Sequence, residues 1–388
     1  MFQLFKRKIN PLTSGKIQQK NFLKKLKFRN DGGLILIDVN IEHKNYIFML
    51  DTGAFSVVPS SFLELNILTK YDEIVKTVDA SGHIKELELY KLKNLNIQEI
   101  EFQNFSVIVD DFTQQFPLSC LKFDGILGYN FLQNIILSID YQHSFITLSD
   151  TFLKPKLSKI IKLKIGENNA PEFQLQVDKK SYWIGLDTGK NDGLMIGNEE
   201  LIQTLQKRET FIERITGTFS SDFNGVNKHS FIDKYLLENF TIDKKILIKS
   251  YIIFHEKNSL NIAGNEFLAN FKMTVDLKRK KLYLESIKDD IQENYKKSFG
   301  FLTFWSEEKK LFISAITQDT PAYNSKLKIG DKIMSINELD TLGFSKEEYC
   351  KHSLLSKKVM LYSEDDTELS IIVKRDGKLI REKLSLSL

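Results

Sequence analysis

The sequence carries the tripeptide Asp-Thr-Gly twice, within YIFMLDTGA (Tyr46–Ala54) and YWIGLDTGK (Tyr182–Lys190). In each stretch, an apolar run typical of a β-strand precedes the aspartate, Asp51 or Asp187. A strand that ends in a carboxylate and then turns at a glycine presents that carboxylate at a loop tip. Two such tips can face each other and share one proton, which is the arrangement that two aspartates need to activate a water molecule.

The similarity between the two stretches extends far beyond the tripeptide. The same interval, 77 positions, separates Asp51 from Gly128 and Asp187 from Gly264. Each of these glycines begins the pattern Gly-x-x-Phe-Leu-x-Asn, and an aspartate follows 12 positions after it. A framework that repeats at a constant offset of 136 positions indicates an internal duplication.

Each copy contains many short apolar and β-branched runs, such as Leu34–Val39 in the first and Phe173–Val177 in the second. Short strands at regular spacing predict a mainly β fold with a small barrel or sandwich in each copy. A short helix is predicted at the Phe-Leu pair after each framework glycine. The copies differ in length at Asp110–Phe123 and Thr216–Asn227, which we interpret as a surface loop and a mobile loop.

A third predicted unit begins near residue 298, after a charged stretch that is a plausible linker. It combines short strands with two helices and ends in a hairpin with an Asp-Gly turn. The predicted elements are strands at Phe299–Trp305, Leu311–Thr317 and Lys332–Asn337, helices at Thr320–Leu327 and Ser345–Leu355, and the turn at Asp376-Gly377.

The length of 388 residues is enough for two or three domains, and 42% apolar with 27% charged residues is typical of a globular protein. Residues 1–29 contain seven lysines, two arginines and no acidic residue. We interpret them as a poorly ordered basic tail rather than as a surface for nucleic acid or membranes.

The sequence lacks the usual signals for a membrane span, a metal or a disulfide framework. No stretch approaches the roughly 18 apolar residues of a transmembrane helix. The first residues lack the apolar region of a secretory signal, so the literal interpretation is a cytoplasmic chain. A misassigned start or a removed leader would leave the cell envelope open, and the compartment stays undetermined. Cys120 and Cys350 are too few and too distant to suggest a disulfide framework, and no metal site or cofactor is expected.

The first copy resembles one lobe of a retropepsin-like aspartic protease. The resemblance rests on Asp-Thr-Gly-Ala followed by Asp124–Gly128, in which two apolar residues precede a glycine. It covers residues 30–150, and residues 155–285 resemble a second lobe. The resemblance implies two acid-protease β-barrel lobes in one chain, as in pepsin, with Asp51 and Asp187 as the catalytic pair.

The same resemblance implies supporting roles for neighbouring residues. The two threonines would hydrogen-bond across the aspartate pair, and the two glycines would form turns too tight for a Cβ atom. Flap hairpins would cover the cleft and pair with an extended peptide. The implied residues are Thr52, Thr188, Gly53 and Gly189 beside the aspartates, and Ser81, Gly82 and Gly217 in the flaps.

Residues 298–388 resemble a PDZ domain of the kind associated with bacterial proteases, a β-sandwich with two helices. Phe299, Gly300 and Phe301 match its carboxylate-binding loop, and Leu327–Ile333 matches its Leu-x-x-Gly-Asp-x-Ile signature. The resemblance implies that backbone N–H groups in this loop bind the C-termini of peptides or proteins.

These observations predict an aspartic endopeptidase that hydrolyses peptides or unfolded proteins. Two alternatives remain open. Lys190 stands where the family usually has Ala, Ser or Thr, and an ammonium there works against proton sharing, which favours a peptide-binding scaffold without catalysis. The other alternative is an enzyme in which the Asp51 lobes of two chains pair.

Overall fold

The computed structural model describes most of the chain, and the protein is mainly β with β-barrel sheets, as the sequence predicts. No helix within the described part is both long and apolar enough to cross a membrane. The described residues are 15–78, 84–111, 116, 118–152, 157–166, 169–207, 210–218, 221–222, 225–226, 230–256, 260–287, 298–351 and 366–386.

The chain up to residue 149 supplies a nine-stranded sheet, with the strand order β1-β9-β6-β10-β5-β4-β8-β7 and β3 beside β4. The bounds are β1 Lys16–Ile17, β2 Leu23–Lys27, β3 Arg29–Asp31, β4 Leu34–Ile41, β5 Lys44–Leu50, β6 Val57–Val58, β7 Leu68–Val78, β8 Ile84–Ile97, β9 Ile100–Val109, β10 Gly125–Leu127, α1 Tyr129–Leu132, β11 Ile136–Asp140 and β12 Phe145–Ser149, with 3₁₀ turns at Ser60–Leu65 and Leu118–Leu121.

The expectation of a disordered basic tail is wrong for its second half. Strand β1 pairs with β9, and β2 pairs with β12 along its whole length. Phe22, Leu26 and Phe28 lie at even spacing and are buried in the main core, whereas Lys25 and Lys27 between them are exposed. The basic composition hides this alternation, which is that of a half-buried strand. Residues 1–14 lie outside the described residues.

The hairpin β4–β5 delivers the first aspartate. Its turn residues Glu42 and His43 both have positive φ angles, as a two-residue turn of the primed type requires. Both faces of β4 are covered, because Ile35 and Ile37 face the main core while Leu36 faces a second apolar cluster. Strand β10 runs parallel to β5 on its other side. The strand that ends at the tripeptide is therefore held on both edges.

The second copy repeats this order, with the hairpin β15–β16 in place of β4–β5, β23 parallel to β16, and α3 in place of α1. Both predicted short helices are confirmed. The bounds are β13 Lys159–Lys162, β14 Lys164–Ile165, β15 Pro171–Val177, β16 Lys180–Leu186, β17 Leu194–Met195, α2 Glu199–Gln206, β18 Phe211–Gly217, β19 Ser221–Asp222, β20 Gly225–Val226, β21 Ser230–Ile242, β22 Ile246–His255, β23 Ile262–Ala263, α3 Asn265–Leu268, β24 Phe271–Asp276 and β25 Lys281–Ser286.

The two copies meet in a six-stranded sheet with the order β13-β25-β24-β11-β12-β2. Its centre is the antiparallel pair β11–β24, in which Ser138 lies opposite Thr274 and their hydroxyl oxygens are 2.7 Å apart. These two residues differ by 136 positions, the offset of the sequence repeat. Equivalent residues that touch each other lie on an approximate two-fold axis. The axis that relates the two copies therefore passes through the centre of this sheet.

The C-terminal segment has a core of its own, built around residues such as Phe299, Leu311 and Ile371. Its terminal hairpin turns at Asp376 and Gly377, both with positive φ, as predicted. The bounds are β26 Phe301–Ser306, β27 Lys310–Thr317, β28 Lys332–Ile336, β29 Leu339–Asp340, α4 Lys346–Tyr349, β30 Glu368–Arg375 and β31 Lys378–Ser385.

The helix predicted at Thr320–Leu327 is absent, and successive turns replace it. The N–H of Ala322 donates to the carbonyl of Phe299 at 2.9 Å, and the Thr320 hydroxyl donates to the carbonyl of Thr317 at 2.6 Å. Within the segment, the N–H of Leu327 donates to the Ser325 hydroxyl at 3.1 Å, so the hydrogen bond that would continue a helix is not made. Helix α4 begins where the second helix was predicted, and residues 352–355 of that prediction lie outside the described residues.

The C-terminal segment is attached to the second copy by strand pairing. The end of β18 pairs antiparallel with β27, which makes one continuous sheet of the two parts. Thr216 and Gly217, interpreted from sequence as the start of a mobile loop, are therefore the end of a paired strand.

A disulfide attaches the same segment to the first copy. Cys120 and Cys350 form a bond across 230 positions, which the sequence did not suggest. Beside it, the ring of Phe116 contacts those of Phe304 and Trp305, with centroids 5.3 and 5.5 Å apart. The stretch interpreted as a surface loop is thus partly an interface, because Phe116 packs on the C-terminal segment.

We expect the disulfide to join two fragments of a cut chain. A protease recognition sequence inserted between residues 287 and 298 allows the chain to be cleaved after purification under oxidising conditions. The fragments should then migrate as one species on a denaturing gel without reductant and separate when reductant is added. Cys350→Ser should release the fragments without reductant, and separation of the cut wild-type fragments without reductant would contradict the pairing.

Candidate active site

Each Asp-Thr-Gly aspartate is anchored by the parallel strand beside it. The N–H of Asp51 donates to the carbonyl of Leu127 at 2.9 Å, and the N–H of Asp187 donates to the carbonyl of Ala263 at 3.1 Å. Leu127 and Ala263 each precede the framework glycine of their copy. The constant interval in the sequence therefore reflects a fixed contact in the fold.

The structure brings the side chains of Asp51 and Asp187 into hydrogen-bond contact. Asp51 is 8% exposed, and Asp187 is partly buried. A Cβ atom on Gly53 would lie 2.7 Å from the carboxyl carbon of Asp187, and one on Gly189 would lie 2.1 Å from a carboxyl oxygen of Asp51. Only glycine at these two positions lets the carboxyl groups approach each other.

Thr52 and Thr188 form a reciprocal pair directly behind the aspartates. The N–H of Thr52 donates to the Thr188 hydroxyl at 3.0 Å, and the N–H of Thr188 donates to the Thr52 hydroxyl at 3.1 Å. The Thr52 hydroxyl donates to the carbonyl of Leu186 at 2.6 Å, and the Thr188 hydroxyl donates to that of Leu50 at 2.8 Å. Both threonines are fully buried, so these four bonds lock one loop to the other.

The two carboxyl groups differ in their surroundings. One oxygen of Asp51 accepts the N–H groups of Gly53 at 2.8 Å and Ala54 at 3.0 Å. Burial, and then the charge of Asp187, raises the pKa of Asp51 well above its usual range. Burial also raises the pKa of Asp187, but the ammonium of Lys190 acts in the opposite direction. Two nearby carboxyl groups with raised pKa values can hold one proton between them near neutral pH.

The flap residues inferred from the resemblance are only partly described. Ser81 and Gly82 lie outside the described residues, between the paired strands β7 and β8. Gly217 has a φ of 145°, and a Cβ atom there would lie 2.2 Å from the carbonyl oxygen of Ser314. Over residues 215–217, β18 pairs with β21 on one edge and β27 on the other. This stretch has no open backbone edge for a peptide.

Phe299, Gly300 and Phe301 lie at the start of the C-terminal segment. The carbonyl of Gly300 accepts the N–H of Thr317 at 2.8 Å, which holds the loop against the end of β27. Gly300 has a φ of 84°, and a Cβ atom there would overlap the side chain of Thr320. Phe299 and Phe301 are buried, and their side chains belong to the core of the C-terminal segment.

Two polar contacts at the site escaped the sequence analysis. The Nζ of Lys190 lies 2.9 Å from a carboxylate oxygen of Asp192. The side-chain amide of Asn265, directly after the framework glycine, donates to the carbonyl of Thr188 at 2.7 Å. The spacing of Lys190 and Asp192 could have suggested an ion pair, but Asn265 gave no signal because its partner is a backbone atom. Among the described residues, no group of three or more His, Cys, Asp or Glu side chains could hold a metal.

Comparison with known proteins agrees with part of this interpretation. The sequence profile of a family described as aspartyl protease matches residues 37–131. No curated protein matches the sequence. Basic 7S globulin from soybean has a similar solved structure, with a TM-score of 0.43 and 11% sequence identity, covering 69% of this chain and 95% of that one. The chain is thus similar to aspartyl proteases over the segment that contains the first Asp-Thr-Gly.

We expect the Thr52 hydroxyl to stabilise the site strongly. Thr52→Val keeps the size of the side chain but leaves two buried backbone groups without a partner, at a cost of about 3 kcal/mol in the free energy of unfolding. Thr52→Ser keeps the hydroxyl and should cost only about 1 kcal/mol. Urea unfolding of the two variants measures the difference, and equal stability would contradict the reciprocal pair.

The raised pKa of Asp51 predicts a pH-dependent stability. Because the folded state holds the proton more tightly, the stabilisation present below the unfolded pKa of about 3.9 is lost as pH rises through the folded pKa. Asp51→Asn removes this loss, so its free energy of unfolding should gain on the wild type as pH rises through that window. Denaturant unfolding at several pH values measures the gain. The exposed Asp38→Asn should stay parallel to the wild type, as should Asp51→Asn if the carboxyl group were not perturbed.

Proposed function

We propose that the protein is an aspartic endopeptidase that uses Asp51 and Asp187 as its catalytic pair. The observation that carries the proposal is the buried contact between the two carboxyl groups, held by the reciprocal threonines. The aspartyl protease match over residues 37–131 supports the activity class. The substrate class is peptides or unfolded proteins.

The reaction follows from a pair that holds one proton. The ionised carboxylate takes a proton from a bound water as its oxygen attacks the carbonyl carbon of the peptide bond. The other carboxyl group gives its proton to the carbonyl oxygen, which yields a tetrahedral diol. The C–N bond then breaks as the diol loses a proton to a carboxylate and the leaving nitrogen gains one. The pair ends with one proton, as it began.

The proposed organisation places the aspartates between two lobes, residues 30–150 and 155–285, followed by a PDZ-like domain at 298–388. A substrate in extended form would pair with the hairpin β7–β8, which leads to Ser81 and Gly82. The loop at Phe299–Phe301 would bind a C-terminal carboxylate through its backbone. Because β18 is paired on both edges, the hairpin of the first lobe is the one proposed to cover the peptide.

A second candidate is a scaffold that binds peptides without cutting them. It is favoured by one observation, the ammonium of Lys190 beside the carboxyl pair, because a cation there favours ionisation of both groups. In the third arrangement, two chains pair through their Asp51 lobes. This arrangement needs Asp51 of one chain to face Asp51 of the other. The contact between Asp51 and Asp187 supports a site within one chain instead.

We expect Asp51→Asn and Asp187→Asn each to reduce hydrolysis of denatured, fluorescein-labelled casein by about 10³-fold, because each removes one half of the acid–base pair. Release of fluorescent peptides between about pH 4 and 7 measures the loss. A peptide inhibitor with a hydroxyl in place of the scissile carbonyl should block the wild type.

The matched control is Asp38→Asn, which changes an exposed aspartate on β4 and should keep full activity. Equal activity of the wild type and Asp51→Asn would refute the proposal. Binding of the inhibitor without any turnover by the wild type would favour the scaffold. Activity that falls on dilution and survives in Asp187→Asn would favour paired chains.

A further inference from the structure

The two copies present different side chains at one equivalent position beside the carboxyl pair. Ala54 follows the first Asp-Thr-Gly, and Lys190 follows the second. The backbone at both positions is held alike, since the carbonyl of Ala54 accepts the N–H of Tyr129 at 2.8 Å and that of Lys190 accepts the N–H of Asn265 at 2.7 Å. The two side chains therefore leave from matching points, and the ammonium is the difference.

The side chain of Lys190 is folded into the protein rather than extended into solvent. Only 20% of it is exposed, and its Nζ lies 2.9 Å from a carboxylate oxygen of Asp192. The N–H of Glu266 donates to the carbonyl of Asp192 at 3.2 Å, so the loop that carries both residues is fixed to the start of α3. A lysine that could reach water but stays largely buried has lost solvation, and nearby carboxylates must compensate.

The charges around this ammonium are unevenly distributed. Lys190 interacts with Asp187 and Asp192, and Asp192 also interacts with His255. Farther from the pair, Glu266 on α3 is repelled by the charge of Asp192 and attracted by that of Lys234 on β21.

On the Asp51 side, the interactions are with the charge of Asp187 and with two backbone N–H groups, those of Gly53 and Ala54. The ammonium of Lys190 thus lies on the Asp187 side of the pair.

We propose that Lys190 is a positioning residue that makes the pair asymmetric, keeping Asp187 ionised as the base toward water and leaving the shared proton on Asp51, with Asp192 holding the ammonium in place. The inference rests on the proposed function of the pair. In this assignment Asp187 takes the proton from water, and Asp51 protonates the carbonyl oxygen of the substrate.

The pKa values of both aspartates are raised, but the charges that act on the two carboxyl groups differ. Burial and the charge of Asp187 both raise the pKa of Asp51. For Asp187, burial raises the pKa, and the charge of Lys190 is the largest influence against it. A cation that favours ionisation lowers both macroscopic pKa values of a coupled pair, which moves the pH range of the singly protonated form downward.

The test is the pH dependence of kcat/KM for denatured casein in Lys190→Met, Lys190→Arg and the wild type. Lys190→Met should move both limbs of the profile to higher pH. Relative to the wild type, its activity should fall about tenfold at the acidic end and rise at the alkaline end. Lys190→Arg keeps the charge and should follow the wild type. Purely structural damage would lower activity by the same factor at every pH.

A control variant sharpens the comparison. Lys180→Met is the matched control, because Lys180 is an ion-paired, exposed lysine on the strand that leads to Asp187. Its profile should coincide with that of the wild type. A Lys190→Met profile that superimposes on the wild type after scaling would overturn the inference.

Carboxyl ¹³C NMR separates this inference from the proposed function, since it needs no turnover. In aspartate-labelled protein, the resonance missing from Asp187→Asn identifies the Asp187 carboxyl group. It should titrate at lower pH than that of Asp51 in the wild type and move to higher pH in Lys190→Met. This result without any hydrolysis would refute the endopeptidase and leave the asymmetry standing. Hydrolysis by the wild type, together with an Asp187 resonance that does not move in Lys190→Met, would support the endopeptidase and overturn the asymmetry.

Discussion

The reciprocal contact between Thr52 and Thr188 is the constraint on which the candidate site depends. Two buried carboxyl groups in contact repel each other when both are ionised, and burial penalises each charge further. Something must hold them together, and here four buried hydrogen bonds run between the two loops directly behind the aspartates. Each hydroxyl accepts from one backbone group and donates to another, so neither loop can withdraw without leaving buried polar groups unpaired. The repulsion at the front of the site is thus balanced by bonds at its back.

This contact also reflects the approximate two-fold symmetry between the two copies. Thr52 and Thr188 differ by the offset of the repeat, as do Ser138 and Thr274 in the six-stranded sheet. Both pairs consist of equivalent residues that touch, so both lie on the same approximate two-fold axis. A duplicated unit joined at two points on one axis has little freedom to separate, and side chains adjacent to the axis are forced into contact. The meeting of the carboxyl groups follows from the duplication, whereas any division of labour between them must come from the places where the copies differ.

The features that the sequence predicted are those that depend on nearby residues or that recur in both copies. The strand before each Asp-Thr-Gly, the helix after each framework glycine and the terminal Asp-Gly hairpin follow from nearby residues, and the interval of 77 positions corresponds to the bond between each aspartate and its neighbouring strand. The link between Cys120 and Cys350 depends on how the C-terminal segment packs, which no local pattern records. The turns at 320–326 replace a predicted helix because the N–H groups that would continue it donate elsewhere, that of Leu327 to the Ser325 hydroxyl and that of Lys328 to the Asp331 carboxylate. Strands β1 and β2 were missed because lysines outnumber the buried residues in this part of the sequence.

The C-terminal segment changes what each half of the protein can do. It is bonded to the first copy through a disulfide and the Phe116 contacts, and to the second through β18–β27 pairing. Attachment to both halves restrains their relative motion, so access to a cleft between them would depend on hairpins rather than on opening of the halves. The hairpins β7–β8 and β18–β21 are equivalent by duplication. In the second hairpin, the outer edge of β18 pairs with β27, whereas in the first, β7 is the last strand of its sheet. The same attachment therefore makes the two copies unequal at their hairpins, as Lys190 makes them unequal in charge, and under the proposed function it assigns the extended peptide to the first copy.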